Sequence, residues 1–545
     1  MKVVSDYYPG YFSSVLKADI TRNMKRILMF PLAMIIISYG CSRADHKPDV
    51  NLATVTILTE SKAKPYDQMI FGGFIEHFGR QIYGGFFEPG SPLADDQGFR
   101  LDVLEVLKEL KVPVIRWPGG CFVDSYHWQQ GIGENREAYG EFRWGVIEPN
   151  TFGTDEFVEL CRRLGAEPYI CQNGMAEVQE MANWVAYCNA SEGEFADLRK
   201  NNGHPEPYGV KFWSVGNERY DKEYIQRVRD GAKAMKEIDP GILTTCSGSQ
   251  GGMKGVGFKV SPYLLETAGH YLDYISVHNY WLSRGEELPE YDYLTAITKS
   301  EYPEAYIELV IESLEESGME KQLQIAFDEW NLRAWQHPGF PRNSVENYKD
   351  PEILDLVDKR IKGNDLASQY TMADALFAAS FFNACLRHSE HVSMANIAPL
   401  VNTRGPLFVH PQGIVKRTHF HTMAMYANDL EAQVGEAQVI SGKLTSGSDS
   451  VAIVDAIATV DKTGKNWAIA LLNRHPSENM TCKLRMGDKL LSGTFTASIL
   501  TGDSPESYND IEHPERVAPR AIELTFKKGL ASLPPHSLTI VHLTL

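Results

Sequence analysis

The 545-residue chain is first informative for what it lacks. It has no GxGxxG turn after its first strand-like run and no GxxxxGK[ST] anywhere, so neither usual phosphate cradle for a nucleotide is present. It has no CxxC pair, which excludes the usual structural zinc sites. Eight cysteines (Cys41, Cys121, Cys161, Cys171, Cys188, Cys246, Cys385 and Cys482) are too sparse for a disulfide scaffold in a chain this long. No internal repeat or long low-complexity tract occurs. An excess of basic residues is also missing. The formal net charge is -18, which argues against a nucleic-acid partner, because such a partner needs a basic footprint to displace counterions.

What is present is an ordinary globular composition, 43% hydrophobic and 23% charged. Aromatics make up 11%, with 9 Trp and 25 Tyr. Their flat faces suit sugar rings, although core packing accounts for most single aromatics. From Met24 the chain reads MKRILMFPLAMIIISYGC: a basic start, a short apolar run and then Cys41. This pattern predicts an export signal over residues 1–41, too short to span a bilayer comfortably. Cys41 stands where a bacterial lipoprotein would be lipidated, with Ser38 in the place where such signals usually carry Leu. Secretion without lipid and an uncleaved anchor are the alternatives. Met24 makes a better signal start than Met1.

From about residue 67 to 404, eight short apolar runs alternate with amphipathic stretches. The predicted strands are 70–77, 112–117, 167–172, 210–215, 243–247, 274–280, 323–327 and 392–397. The predicted helices are 101–110, 155–164 with Thr154 as N-cap, 176–189, 222–238, 305–317 and 366–387. Eight such repeats predict an α/β fold, a (β/α)8 TIM barrel. After 405, runs such as Val451–Val454, Trp467–Leu472, Thr494–Leu500 and Leu538–Leu543 alternate with turns and predict a C-terminal all-β, jelly-roll-like sandwich over 405–545. Residues 42–66 hold one more strand, expected to join that sandwich. The stretch 334–364, rich in Pro, Asn and charge, reads as a long loop that either shapes the mouth or is simply solvated.

In such a barrel, reactive side chains sit at the C-terminal ends of the strands. Those ends carry Glu76, Arg116, Cys121, Asn217-Glu218, His278, Tyr280 and Asp328-Glu329. Strands four and seven lie on opposite sides of a barrel mouth, so Glu218 and Glu329 can face each other as the two carboxyls of a retaining glycosidase. Asn217 would bind a hydroxyl beside the reacting carbon, while His278 and Tyr280 would orient the carboxyls. Each Asn-Glu or Asp-Glu pair is weak alone, since surface charge is the default. Their joint placement carries the argument.

The stretches GGFIEHFGRQIYGGFFEPGS, VIRWPGGCFVDSYHW, GVKFWSVGNE, SVHNYW and FDEWN closely resemble the α-L-arabinofuranosidases of glycoside hydrolase family 51. The resemblance runs over roughly residues 52–545. It implies a retaining, exo-acting enzyme that releases terminal arabinofuranose from arabinan, arabinoxylan or derived oligosaccharides, without cofactor or required metal. It implies Glu218 as acid/base and Glu329 as nucleophile. It also implies that Glu76, Asn217 and Tyr280 hold the arabinose, with Arg116 and His278 in support, and it suggests homo-oligomers. Cys121 falls where the family often has Asn. A sugar-binding Gln expected near the eighth strand is missing; Pro399 takes its place, and Asn402 or Arg404 are the candidates to substitute. An endo-glucanase or xylosidase on the same two glutamates, and a non-catalytic glycan-binding lipoprotein, are the competing readings.

Overall fold

The computed structural model describes residues 51–141, 143–250, 257–282, 291–335 and 351–545. The expected signal with Cys41, and 336–350 of the expected loop, lie outside the described residues. Among the described residues no helix is long and apolar enough to cross a membrane.

Eight parallel strands close into a barrel: β1 Gly72–Phe74, β2 Val114–Trp117, β3 Glu167–Gln172, β4 Phe212–Val215, β5 Leu243–Gln250, β6 Tyr274–Leu282, β7 Gln324–Arg333 and β8 Val392–Ile397. All eight predicted strands are there. The first is shorter than predicted, and the fifth and seventh run on past their predicted ends, through Gly248–Gln250 and Asp328–Arg333. Ring closure comes from β8 on β1, through Asn396 opposite Gly72 and Ile397 opposite Gly73. Val114, Tyr169, Phe212, Ala326 and Met394 form a small buried cluster drawn from five strands. The larger core lies between the strands and the surrounding helices.

Several helices differ from prediction. Thr154 is inside the helix Thr154–Leu164, not its cap. Gly153 takes the cap position, its N–H donating to Glu156 Oε2 at 2.8 Å, and the Thr154 hydroxyl accepts from Trp184 instead. Part of the expected 334–364 loop is the helix Pro351–Gly363. The segment after 405 is not all strand: a hairpin and the helix Thr418–Asp429 come first. That helix packs on Met372–Arg387, which is buried from Met372 to Leu386. A helix apolar all round needs cover on every side, and the sandwich supplies part of it through Asn383 Nδ2 to Asp455 Oδ2 at 3.0 Å and Arg387 Nη1 to Asp455 Oδ1 at 3.1 Å.

The sandwich pairs a five-stranded with a seven-stranded sheet. Leu52–Ile57 runs antiparallel to Ala437–Ile440 and parallel to Met480–Met486. Its alternate residues Ala53, Val55 and Ile57 point into the core between the sheets, as a period of two requires.

Candidate active site

The site is built on strand ends. β4 stops at Val215, and Gly216 and Glu218 then take left-handed conformations, φ 76° and 44°. Such backbone is costly for a residue with a Cβ; here it turns Asn217 and Glu218 over the mouth. On β7 the chain does something a regular strand cannot. Successive side chains of a strand point to opposite faces, yet Asp328 and Glu329 are both buried and both meet Arg116. The pairing register on both flanks slips across this pair, the mark of a β-bulge that re-aims a side chain.

Arg116, fully buried on β2, is the hub. Its Nη1 donates to Glu329 Oε1 at 3.0 Å, its Nη2 to Asn217 Oδ1 at 2.7 Å, and its Nε lies 3.4 Å from Asp328 Oδ2. Tyr280 donates to the other oxygen of Glu329 at 2.8 Å. His278 Nδ1 is 3.0 Å from Glu218 Oε1 and 3.6 Å from Glu329 Oε2, while its Nε2 is 3.2 Å from Asp328 Oδ1. One oxygen of each glutamate and one ring nitrogen of His278 all lie within 4.8 Å of one another. Asn217 Nδ2 lies 3.9 Å from the half-buried Cys121 sulfur. Glu76 Oε1 accepts from the Phe122 N–H at 2.9 Å and Trp144 Nε1 at 2.8 Å. Its Oε2 is buried with no hydrogen-bond partner among the described residues. The eight predicted site residues therefore converge.

Charge follows this geometry. Burial, helped by the Glu329 carboxylate, lifts the Glu76 carboxyl to about 8, so it is a neutral acid and proton donor at pH 7. Burial pulls His278 down, but the carboxylates of Glu329, Asp328 and Glu218 outweigh it and hold the imidazolium to about 10. Burial would raise Asp328, yet Arg116, His278 and Ser276 keep it at about 2. Glu329 is raised by burial and by Glu218, against the pull of His278, Arg116 and Tyr280. The Glu218–His278–Glu329 triangle resembles a metal donor set, but an imidazolium held by three carboxylates offers a proton, not a lone pair, to an incoming cation.

Sequence reasoning placed Asp328 at the end of the seventh strand without giving it a role, and missed Ser276, Tyr169 and Trp144. Tyr169 and Ser276 donate to the two oxygens of Asp328 at 2.7 and 2.6 Å. A carboxylate inside a β run is unusual, and that was the available signal for Asp328. Trp144 sits in an aperiodic excursion and had none. Asn402 and Arg404 do not replace the missing Gln. The Asn402 amide is spent on the Arg80 carbonyl at 2.6 Å and the Val409 N–H at 2.8 Å, and Arg404 bonds Gln369 and Tyr370.

A parallel eight-stranded barrel whose mouth sets two carboxyls face to face, one clamped by an arginine and a tyrosine, is the architecture of a glycoside hydrolase. Residues 106–293 match the model of the α-L-arabinofuranosidase 1 domain, and 328–537 that of the α-L-arabinofuranosidase C-terminal domain. The chain is 33% identical to α-L-arabinofuranosidase C of Emericella nidulans over 89% of its length and 96% of that protein. It is 31% identical to an intracellular exo-α-(1→5)-L-arabinofuranosidase of Halalkalibacterium halodurans, over 79% and 87%. The thermostable GH51 α-L-arabinofuranosidase of Thermotoga petrophila superposes with a TM-score of 0.72 at 30% identity, covering 90% of this chain and 100% of that one. The chain belongs to the α-L-arabinofuranosidases of glycoside hydrolase family 51.

Proposed function

We propose that this protein is a retaining, exo-acting α-L-arabinofuranosidase that removes terminal arabinofuranose from arabinan, arabinoxylan or their oligosaccharides. The observation that carries the reading is the approach of Glu218 and Glu329 carboxyl oxygens to within 4.8 Å. Retaining enzymes keep their carboxyls ~5–5.5 Å apart, whereas inverting enzymes leave room for a water. The exo mode is supported by the activity in the name of the Halalkalibacterium relative.

Roles follow from the surroundings. Glu329 is 3% exposed and takes donors on both oxygens, so it is fixed as the nucleophile that attacks the anomeric carbon. Glu218 is 17% exposed and open toward the departing oxygen, which it protonates; it then deprotonates water in the second step. The imidazolium of His278 touches both carboxyls and balances their charge as the proton leaves and returns. Glu76, as a neutral acid, donates to a hydroxyl of the bound arabinose. Asn217, Cys121 and Tyr280 complete its contacts, with Arg116 behind them.

The test is hydrolysis of p-nitrophenyl α-L-arabinofuranoside by wild type, Glu218→Ala and Glu329→Ala, with and without azide. Both variants should lose ~10²–10⁴-fold or more. Azide should partly restore Glu218→Ala and give a glycosyl azide of retained configuration. An inverted product would overturn the mechanism. Export, with Cys41 lipidated, belongs to the same proposal and rests on residues 24–41; recovery of an acylated Cys41 peptide from membranes tests it.

A further inference from the structure

The two donors on Glu76 come from different loops. The Phe122 N–H belongs to the turn Cys121–Ser125, after β2. The Trp144 indole belongs to the bend of a hairpin formed by Tyr139–Glu141 and Val146–Glu148. Both reach the same oxygen, Oε1, at 2.9 and 2.8 Å. Loops are more mobile than the strands they join, so two donors from two loops converge on one atom only if the loops are held together.

Glu141 holds them. It is buried, and a buried carboxylate needs donors. It takes them from both loops. Its Oε1 accepts from Ser125 Oγ at 2.7 Å and from the Arg143 N–H at 2.6 Å, and its Oε2 accepts from the Trp144 N–H at 2.7 Å. One carboxylate therefore grips the backbone that carries the indole and the end of the turn that carries the Phe122 N–H. Stacking on Phe78, 4.5 Å between ring centres, fixes the face of the indole but not the direction of its N–H.

The place of the Glu76 proton follows. An oxygen that accepts two N–H donors has both lone pairs engaged, so in the neutral acid Oε1 is the carbonyl oxygen and the proton sits on Oε2. Oε2 is the oxygen with no partner among the described residues. We propose that Glu141 is a positioning residue for the sugar-binding acid: it keeps both loop donors on Glu76 Oε1 and so assigns the proton to Oε2, the oxygen that donates to the arabinose hydroxyl. This rests on the function proposed above, in which Glu76 contacts the sugar.

The full chain is tested through the pH dependence of kcat/KM for p-nitrophenyl α-L-arabinofuranoside, whose alkaline limb reports an essential acid of the free enzyme. Glu76 ionises at about 8, and Glu76→Gln identifies its limb by removing it. The other groups that face Glu76, namely Glu329 on β7, Arg116 on β2 and the Cys121 thiol, are unchanged in every variant. Trp144→Phe keeps a stacked ring and loses a donor that favours the Glu76 carboxylate. Its limb should rise by about one pH unit, the size of a lost hydrogen bond to a charged group. Glu141→Gln should move the limb the same way, and the double variant should move it by less than the sum. Arg143 also bonds Asp124, so the two loops stay joined in Glu141→Gln. Should that variant not fold, Ser125→Ala releases the other end of the clasp and should raise the limb by a smaller amount. A limb at its wild-type position in the folded Glu141→Gln or Ser125→Ala variant, or full additivity in the double variant, would overturn the positioning role. A Glu76→Gln variant with the kcat/KM and the limb of wild type would instead overturn the sugar contact of Glu76 in the function proposed above.

Discussion

Asp328 and Glu329 are neighbours in the chain, and both carry their carboxylates into the barrel, where Arg116 lies 3.4 Å from one and 3.0 Å from the other. The bulge at this pair gives one strand two inward-facing acids. One meets Tyr280 at the mouth; the other is held by Tyr169, Ser276 and His278. The proposed division of labour, Asp328 structural and Glu329 reactive, follows from that local break in alternation.

Asp328→Asn keeps the shape and removes the charge. Arg116 and His278 would then be buried with less compensation, a situation that costs about 3–5 kcal/mol when one partner of a buried pair is lost. Denaturant unfolding should show a loss of that order. His278 would still face Glu218 and Glu329 but not a third carboxylate, so the alkaline limb of kcat should move to lower pH. An unmoved limb would show that Asp328 does not hold the imidazolium.

Glu76 gives stability a definite pH dependence. Its folded value of about 8 lies above its ordinary 4.5. Between those values the folded chain keeps a proton that the unfolded chain has lost. The contribution is therefore complete below about 4.5 and disappears as pH rises through about 8, with a slope of up to about 1.4 kcal/mol per pH unit. Glu76→Gln cannot ionise. Unfolding at pH 5 and pH 8 should show the wild type losing more stability than the variant, and equal losses would contradict the assignment.

Gly120 lies against the residues proposed to hold the sugar. A Cβ there would stand 2.9 Å from Glu329 Oε1, and 3.5 Å from both Asn217 Nδ2 and Glu76 Oε1. At Gly119 it would sit 2.4 Å from the Glu76 side chain. Gly120→Ala should lower kcat/KM by ~10²-fold or more, since one misplaced ångström costs that much. Its unfolding free energy should fall by about 1–3 kcal/mol, the usual cost of overpacking a buried site. A fully active Gly120→Ala would mean the sugar binds elsewhere.

Much of this molecule was legible in its sequence, for identifiable reasons. A buried parallel strand is a short unbroken apolar run, so all eight strands from 72–74 to 392–397 could be read. Catalytic candidates sat where each run stops, which pointed to Glu218 and Glu329 without any contact being known. The helix Thr418–Asp429 was hidden because its burial is supplied by Met372–Arg387, a partner distant in the chain. The helix Pro351–Gly363 was hidden by the Pro- and Asn-rich stretch before it.

The sequence alone determined the alternation of elements and the residues at the strand ends, because these depend on local periodicity. Only the tertiary structure decided how those residues act. The bulge that turns Asp328 inward, the clamp of Arg116 and Tyr280 on Glu329, and the burial that keeps Glu76 protonated are interactions between segments dozens to hundreds of residues apart. Their energies come from distance and desolvation, quantities that exist only once the barrel has closed.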